Sequence, residues 1–302
     1  MLQDFLSPIN ASRFEPENGY YTSQLGAKII CHQNSFPDLA NAQLAIIGVL
    51  EDRKAIQNEG CANGVEQIRA FLYQLNEGYF NSKIVDLGNI LPGETLRDTH
   101  YALKVVTESL LKKSIIPIII GGGHDLCYAQ YWAYENLDKK VDLLSFDAHF
   151  DLDATVDEHQ IPNSQSYLNS IILHEPNFLF NFSNIGYQTY YTNQESIQLM
   201  DKMYFDIHRL GEFRNKIQES EVIDLMSENK NVLHHIHESL NYKISVLEID
   251  EFDKKVREAA DHHHPAYDEK AWARMERLLD KHLPRKDDDR RKFIFFIFLF
   301  LL

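Results

Sequence analysis

Asp147, His149 and Asp151 occupy alternate positions at the end of the apolar run VDLLSFDAHFDL. Alternate side chains of a strand share one face. Strand geometry persisting through 147–151 would therefore aim two carboxylates and an imidazole the same way. A second apolar run upstream, IIPIIIGGGHD, passes through three glycines to His124. Glycine permits the tight turn and close backbone approach that such a strand exit needs. Two imidazoles and two carboxylates at neighbouring strand tips make a chelating set. Imidazole with carboxylate and no thiolate favours Mn, Fe or Zn, and an oxygen-rich octahedral site leans to Mn. Two carboxylate-bridged ions would lower a bound water's pKa and hold it as hydroxide, which implies hydrolytic attack on a polar carbon centre.

Blander readings exist for each motif. An Asp and a His at a strand end also cap a following helix or join a surface network. A glycine-rich turn also cradles phosphate, but GGGHD lacks the spacing of G-x-G-x-x-G and the Lys of a P-loop. The two motifs occur together, each after an apolar strand and with one helix between them. That combination favours the metal site.

The elements that must position these residues are legible as alternating patterns. LAIIGVL (44–50) reads as a buried strand, followed by the polar loop EDRKAIQNEGCANG. GVEQIRAFLYQL (64–75) has Val65, Ile68, Leu72 and Leu75 at helical spacing. SKIVDLGNI (82–90) predicts a short strand ending at Gly88, and RDTHYALKVVTESLLKKS (97–114) a helix. IIPIIIGGGHD (115–125) predicts a strand, LCYAQYWAYENL (126–137) a helix, VDLLSFDAHFDL a strand and NFLFNFSNIGYQ (177–188) another. Strands apolar on both faces, alternating with helices, indicate βαβ units and a parallel sheet. Ligands gather beyond the carboxyl ends of such strands, where both polar motifs stand.

The chain has 302 residues, enough for one large α/β domain or two smaller ones. Its formal charge of −15 excludes a nucleic-acid binder, which needs a basic surface, and suits a soluble cytoplasmic protein. Cys31, Cys61 and Cys127 are far apart with no C-x-x-C, so neither structural disulfides nor a zinc ribbon is expected. The N-terminus lacks a basic region followed by an apolar core, so no signal peptide is expected. Composition shifts after about residue 225 and divides the chain into an α/β domain (1–225) and a charged, mostly helical segment (226–302) with an apolar tail. The tail, Phe293 to Leu302, would rise roughly 15 Å as a helix, about half a hydrocarbon core. Only weak membrane contact is expected of it.

GGGHD and SFDAHFD together resemble the ureohydrolases: arginase, agmatinase and formimidoylglutamase. The resemblance continues upstream in GVLEDRKAIQNEGCANGVEQIRAFLY and downstream in SQSYLNSIILHEPNFLFNFSNIGYQTYY, closest to the formimidoylglutamase-like branch, over about residues 40–215. It implies a three-layer αβα fold with a mainly parallel sheet and a binuclear manganese site. It also implies hydrolysis of C–N bonds in a small amidine or guanidine, formimidoylglutamate or an arginine-like molecule. His124, Asp147, His149 and Asp151 would be metal ligands, with Asp147 and Asp151 bridging or serving the second ion. The loop DEHQIPNSQSYLN would line the substrate pocket through Asn163 and Ser164. A homo-oligomer and membrane contact through 293–302 are further partners the sequence admits.

The family's later motif, Ser-x-Asp-x-Asp-x-x-Asp-Pro, has only partial counterparts. DLMSEN offers Asn229 where an Asp is expected, and SVLEIDEFD offers Glu248, Asp250 and Asp253 without the Pro. The second also reads as the acidic first turn of a charged helix. Nothing beyond resembles the family's last third, so the fold is expected to be incomplete at its C-terminal end. The alternative function is accordingly a catalytically impaired remnant, truncated or fused, that holds one ion. His234, His235 and His237, like His262 to His264, read as solvated.

Overall fold

Short apolar runs bounded by glycine or polar loops form two parallel sheets in the computed structural model, which describes residues 2–78, 82–137, 139–154 and 161–210. β1 (Ile30–Cys31), β2 (Leu44–Val49), β3 (Ile84–Ile90) and β4 (Ile116–Ile120) are ordered β1-β3-β2-β4. β5 (Val141–Phe146), β6 (Leu179–Tyr187) and β7 (Asp206–Arg209) are ordered β5-β6-β7. Every ladder between these strands is parallel. The chain between them carries α1 (Gly64–Gln74), α2 (Leu96–Leu111), α3 (Leu126–Trp132) and α4 (Tyr167–Ile172), with α5 (Gln194–Lys202) before β7. Parallel neighbours require such crossovers.

β2 shows why the fold is three-layered. Ala45, Ile47 and Val49 pack from one face with Leu103, Val106 and Leu110 of α2. Ile46 packs from the other face with Val65 and Tyr73 of α1. A strand buried on both faces reads as an unbroken apolar run, which is how LAIIGVL reads. A third core joins Tyr131 of α3 and Leu168 and Ile171 of α4 to Val141, Leu143 and Phe182 of β5 and β6.

Local signals set several boundaries. α2 begins at a capping box in which Thr95 accepts from the Asp98 N–H and the Asp98 carboxylate accepts from the Thr95 N–H. The expected helix over 126–137 stops at Trp132 and continues as a 3-10 turn, Glu135–Leu137. Leu75, expected on the apolar stripe of α1, lies past the helix end and is exposed. The strand expected to end at Gly88 runs on to Ile90. Gly88 sits inside it at φ +92°, and a Cβ there would lie 2.0 Å from the Ser7 carbonyl oxygen. Ser7 and Asn89 exchange backbone hydrogen bonds of 2.8 and 2.9 Å across this point. Gly88 therefore admits the N-terminal segment to the strand instead of terminating it.

The buried face of α1 also carries a charge. Arg69 is fully buried, with Nε 2.7 Å from Asp86 Oδ2 and Nη2 3.1 Å from Oδ1. It also donates to the Gly88 carbonyl at 2.9 Å, and Tyr73 donates its hydroxyl proton to Asp86 at 2.9 Å. A buried charge is tolerated when paired and saturated with hydrogen bonds in this way.

The segment 226–302, including Asn229, Glu248, Asp250, Asp253, the histidines at 234–237 and 262–264 and the tail at 293–302, lies outside the described residues. Among the described residues no helix is long and apolar enough to cross a membrane.

Asp86→Ala would strand the Arg69 guanidinium in the core among neutral partners. The expected loss is about 3–5 kcal/mol, read as a lower urea midpoint at unchanged slope. A loss under about 1 kcal/mol would show that the pair does not hold α1 to β3.

Candidate metal centre

The carboxyl ends of β4 and β5 carry the site. Past Ile120 the chain turns through Gly121, Gly122 and Gly123 against the exit of β2. The Gly123 N–H donates to the Glu51 carbonyl at 2.9 Å, and a Cβ on Gly122 would stand 2.0 Å from that same oxygen. Only glycine allows this approach. Glu51 is itself held: Thr99 Oγ1 donates to it at 2.8 Å and Arg53 Nε at 2.9 Å. Burial raises its pKa, but the hydrogen bonds from Arg53 and Thr99 outweigh this and leave it below the usual carboxylate value. The turn thus rests on a rigid support and delivers His124, which is 8% exposed.

His124 Nδ1 lies 2.8 Å from Asp151 Oδ2 and 3.3 Å from Asp147 Oδ2. Its ring lies over Tyr167 of α4, with centroids 4.2 Å apart. One donor atom from each of His124, Asp147 and Asp151 falls within 4.8 Å of the others.

These residues meet by a different route from strand alternation. β5 ends at Phe146, one residue before Asp147. The His149 N–H then donates to Asp147 Oδ1 at 2.9 Å, and Asp151 adopts the left-handed region at φ +52°. Asp tolerates that region better than most residues. The turn brings Asp151 back beside Asp147 and carries the His149 ring outward. The His149 side chain is half exposed, with Nδ1 3.4 Å from Asp147 Oδ1 and its ring 5.2 Å from Tyr191. The structure thus brings together His124, Asp147 and Asp151, and leaves His149 at the rim.

The electrostatics follow from burial and mutual proximity. Burial pushes Asp151 up, and the Asp147 charge adds to this against the opposing pull of His124. Burial also raises Asp147, but the hydrogen bond and charge of His149 and the charge of His124 bring it below its ordinary value. Burial disfavours the His124 imidazolium, yet Cys127 and Asp151 outweigh it and hold the pKa well above 6.5. No Lys or Arg pairs with either carboxylate among the described residues. The set is oxygen- and imidazole-rich, clustered and short of positive charge. It fits a hard or borderline divalent ion.

Asn163 and Ser164 sit on the neighbouring loop, whose residues 155–160 lie outside the described set. Ser164 donates its N–H to the Lys54 carbonyl at 3.0 Å, and its Oγ accepts from the Ile56 N–H at 2.9 Å. Asn163 Oδ1 accepts from the Gln165 N–H at 2.9 Å. Ser164 thus staples its loop to residues 54–56, whereas Asn163 shapes a local turn within it. Sequence spacing gave no sign of Tyr167, which reaches His124 from a distant helix, or of His100, whose Nε2 lies 2.7 Å from the buried Asp125 carboxylate.

A family model described as the Arginase family matches residues 42–255. The formimidoylglutamase of Lysinibacillus sphaericus is 29% identical over 167 residues, 53% of this chain and 50% of the relative. That of Streptococcus pyogenes is 27% identical over 165 residues, 50% of each. The chain thus spans about half the length of the curated relatives it matches. Among solved structures, a Mn2+-containing formiminoglutamase of Trypanosoma cruzi superposes with a TM-score of 0.57 at 21% identity, covering 67% of this chain and 69% of that one. The formimidoylglutamase of Bacillus subtilis superposes with a TM-score of 0.58 at 17% identity, covering 72% and 70%. At these identities the superpositions establish a shared three-layer αβα fold.

Gly122→Ala would push a methyl group into the Glu51 carbonyl and force the His124 turn off β2. The expected loss is about 1–3 kcal/mol in chelator-treated protein, measured by urea unfolding. An unchanged midpoint would show that the contact relaxes freely.

Proposed function

Because the chain belongs to the arginase family, we propose that it is a manganese-dependent hydrolase of linear amidines, with formimidoylglutamate as its substrate and arginine as the runner-up. The convergence of His124, Asp147 and Asp151 within 4.8 Å, with no Lys or Arg partner for the carboxylates among the described residues, carries this reading. The formimidoylglutamase relatives support the choice of substrate.

In this reading His124, Asp147 and Asp151 hold the ion, and His149 at the rim is the fourth donor. Bound manganese would supply Lewis acidity and lower the pKa of a coordinated water. The protein residues supply the setting. The Tyr167 ring covers one face of His124 and keeps bulk water from it. Asp147 takes the His149 N–H on Oδ1 and turns Oδ2 toward His124. The paired carboxylates favour a cationic amidinium and accept protons as the reaction proceeds. Asn163 and Ser164, on a loop stapled to residues 54–56, form a wall of the substrate pocket. A C–O bond forms from water to the amidine carbon and the C–N bond to glutamate breaks; one water proton passes to the departing amine and one to the imino nitrogen, leaving glutamate and formamide.

A specific observation keeps the impaired remnant as a second reading: the described residues bring three donors together, fewer than two ions require. Metal content separates the two. Near two Mn per chain supports the enzyme, and one or none supports the remnant.

Purified chain with Mn2+ is expected to release formamide from formimidoylglutamate faster than urea from arginine. Asp147→Asn should lower the rate at least about 100-fold. Neither product appearing in the manganese-loaded wild type would refute the hydrolase. Metal binding should also be linked to protons. Against the effect of burial, Cys127 and Asp151 raise the His124 pKa, so an ion bound through this imidazole competes with a proton. Apparent Mn2+ affinity should rise with pH and binding should release protons, measured by calorimetry in buffers of different ionisation enthalpy. Binding independent of pH from 6 to 8 would exclude His124 as a ligand.

A further inference from the structure

We propose that Asn184 and Thr192 form a clamp that positions the metal-donor turn 147–151 and thereby sets its affinity for a divalent ion. The inference rests on the metal-site reading above but not on the substrate. The turn is held from the β6 side at three residues in a row, Asp147, Ala148 and His149. The Asp147 N–H donates to the Ile185 carbonyl at 3.1 Å. The Ala148 carbonyl accepts from the Gln188 N–H at 3.0 Å and from Thr192 Oγ1 at 3.3 Å. The His149 carbonyl accepts from Asn184 Nδ2 at 3.0 Å.

Asn184 is the most telling member. It is fully buried, and its Oδ1 has no hydrogen-bond partner among the described residues. An acceptor buried without a donor is destabilising, and an apolar residue of similar size would avoid that penalty. Stability alone therefore does not account for an amide at this place. The hydrogen bond from Nδ2 does, because it orients the peptide after His149, midway between the two carboxylates. Thr192, also buried, grips the preceding carbonyl through its hydroxyl. Donors must be held to within about 0.5 Å of productive geometry, and partners outside the ligand set commonly change metal affinity about 10–100-fold.

The test is Mn2+ titration of the full chain, following free Mn2+ by electron paramagnetic resonance, for wild type, Thr192→Val, Thr192→Ser and Asn184→Leu. Valine and leucine keep the volume and remove the donor, whereas serine keeps the hydroxyl. Thr192→Val and Asn184→Leu are expected to bind about tenfold more weakly, and Thr192→Ser like wild type. A merely structural role would lower the melting temperature in chelator yet leave affinity unchanged well below it. Wild-type affinity in both Thr192→Val and folded Asn184→Leu overturns the clamp, as does equal weakening by valine and serine. Should Asn184→Leu not fold, the valine–serine pair decides alone. A wild type that takes up no Mn2+ removes the metal site, and the clamp with it.

Discussion

Two carboxylates forced together away from water govern this molecule. Asp147 and Asp151 approach one another in a largely buried place where, among the described residues, only imidazoles offset their charge. Desolvation and mutual repulsion both disfavour double ionisation. Left alone, the chain would relax by swinging one acid into solvent. The glycine turn on β2, the left-handed Asp151 and the ties to β6 all oppose that escape. A site so arranged is incomplete without added positive charge, from a protonated His124 or from a metal ion. The shared fold and the family match place the chain among proteins built on this same frame.

Two kinds of buried charge therefore coexist, and they differ in completeness. Arg69 and Asp86 neutralise each other, and Gly88, Asn89 and Tyr73 accept or supply the remaining hydrogen bonds. That network joins α1 to β3 and asks nothing of a ligand. The carboxylate pair past the tip of β5 is left in deficit among the described residues. The two clusters differ in whether the described residues supply their own counter-charge.

Much of the frame was legible in the residues. The apolar runs of β2, β4, β5 and β6 and the stripes of α1 and α2 follow from periodicities that local sequence carries. The three glycines announced a close approach, although not that Glu51 would be the surface approached. Legibility stopped where conformation depends on distant partners. Strand alternation predicts His149 beside the acids, but the alternation ends once the chain leaves the strand at Phe146 and Asp151 takes a positive φ. Gly88 reads as a stop because a strand interior disfavours glycine. The N-terminal segment around Ser7 makes it a passage instead. Tyr167, Asn184 and Thr192 come to the turn from elsewhere in the chain and leave no mark in its local spacing.

The left-handed backbone at Asp151 has a consequence for how this chain can vary. Position 151 passes through two unrelated filters. Its torsion angles admit Gly, Asn and Asp with little strain and reject β-branched residues. The neighbouring imidazole calls for an anion, which Gly and Asn are not. Glu carries the charge but has neither the short side chain nor the tolerance for that torsion. A single amino-acid type satisfies both demands. The most tightly constrained letter in the turn is thus fixed by the intersection of a steric rule and an electrostatic one, and drift at this codon has almost nowhere to go.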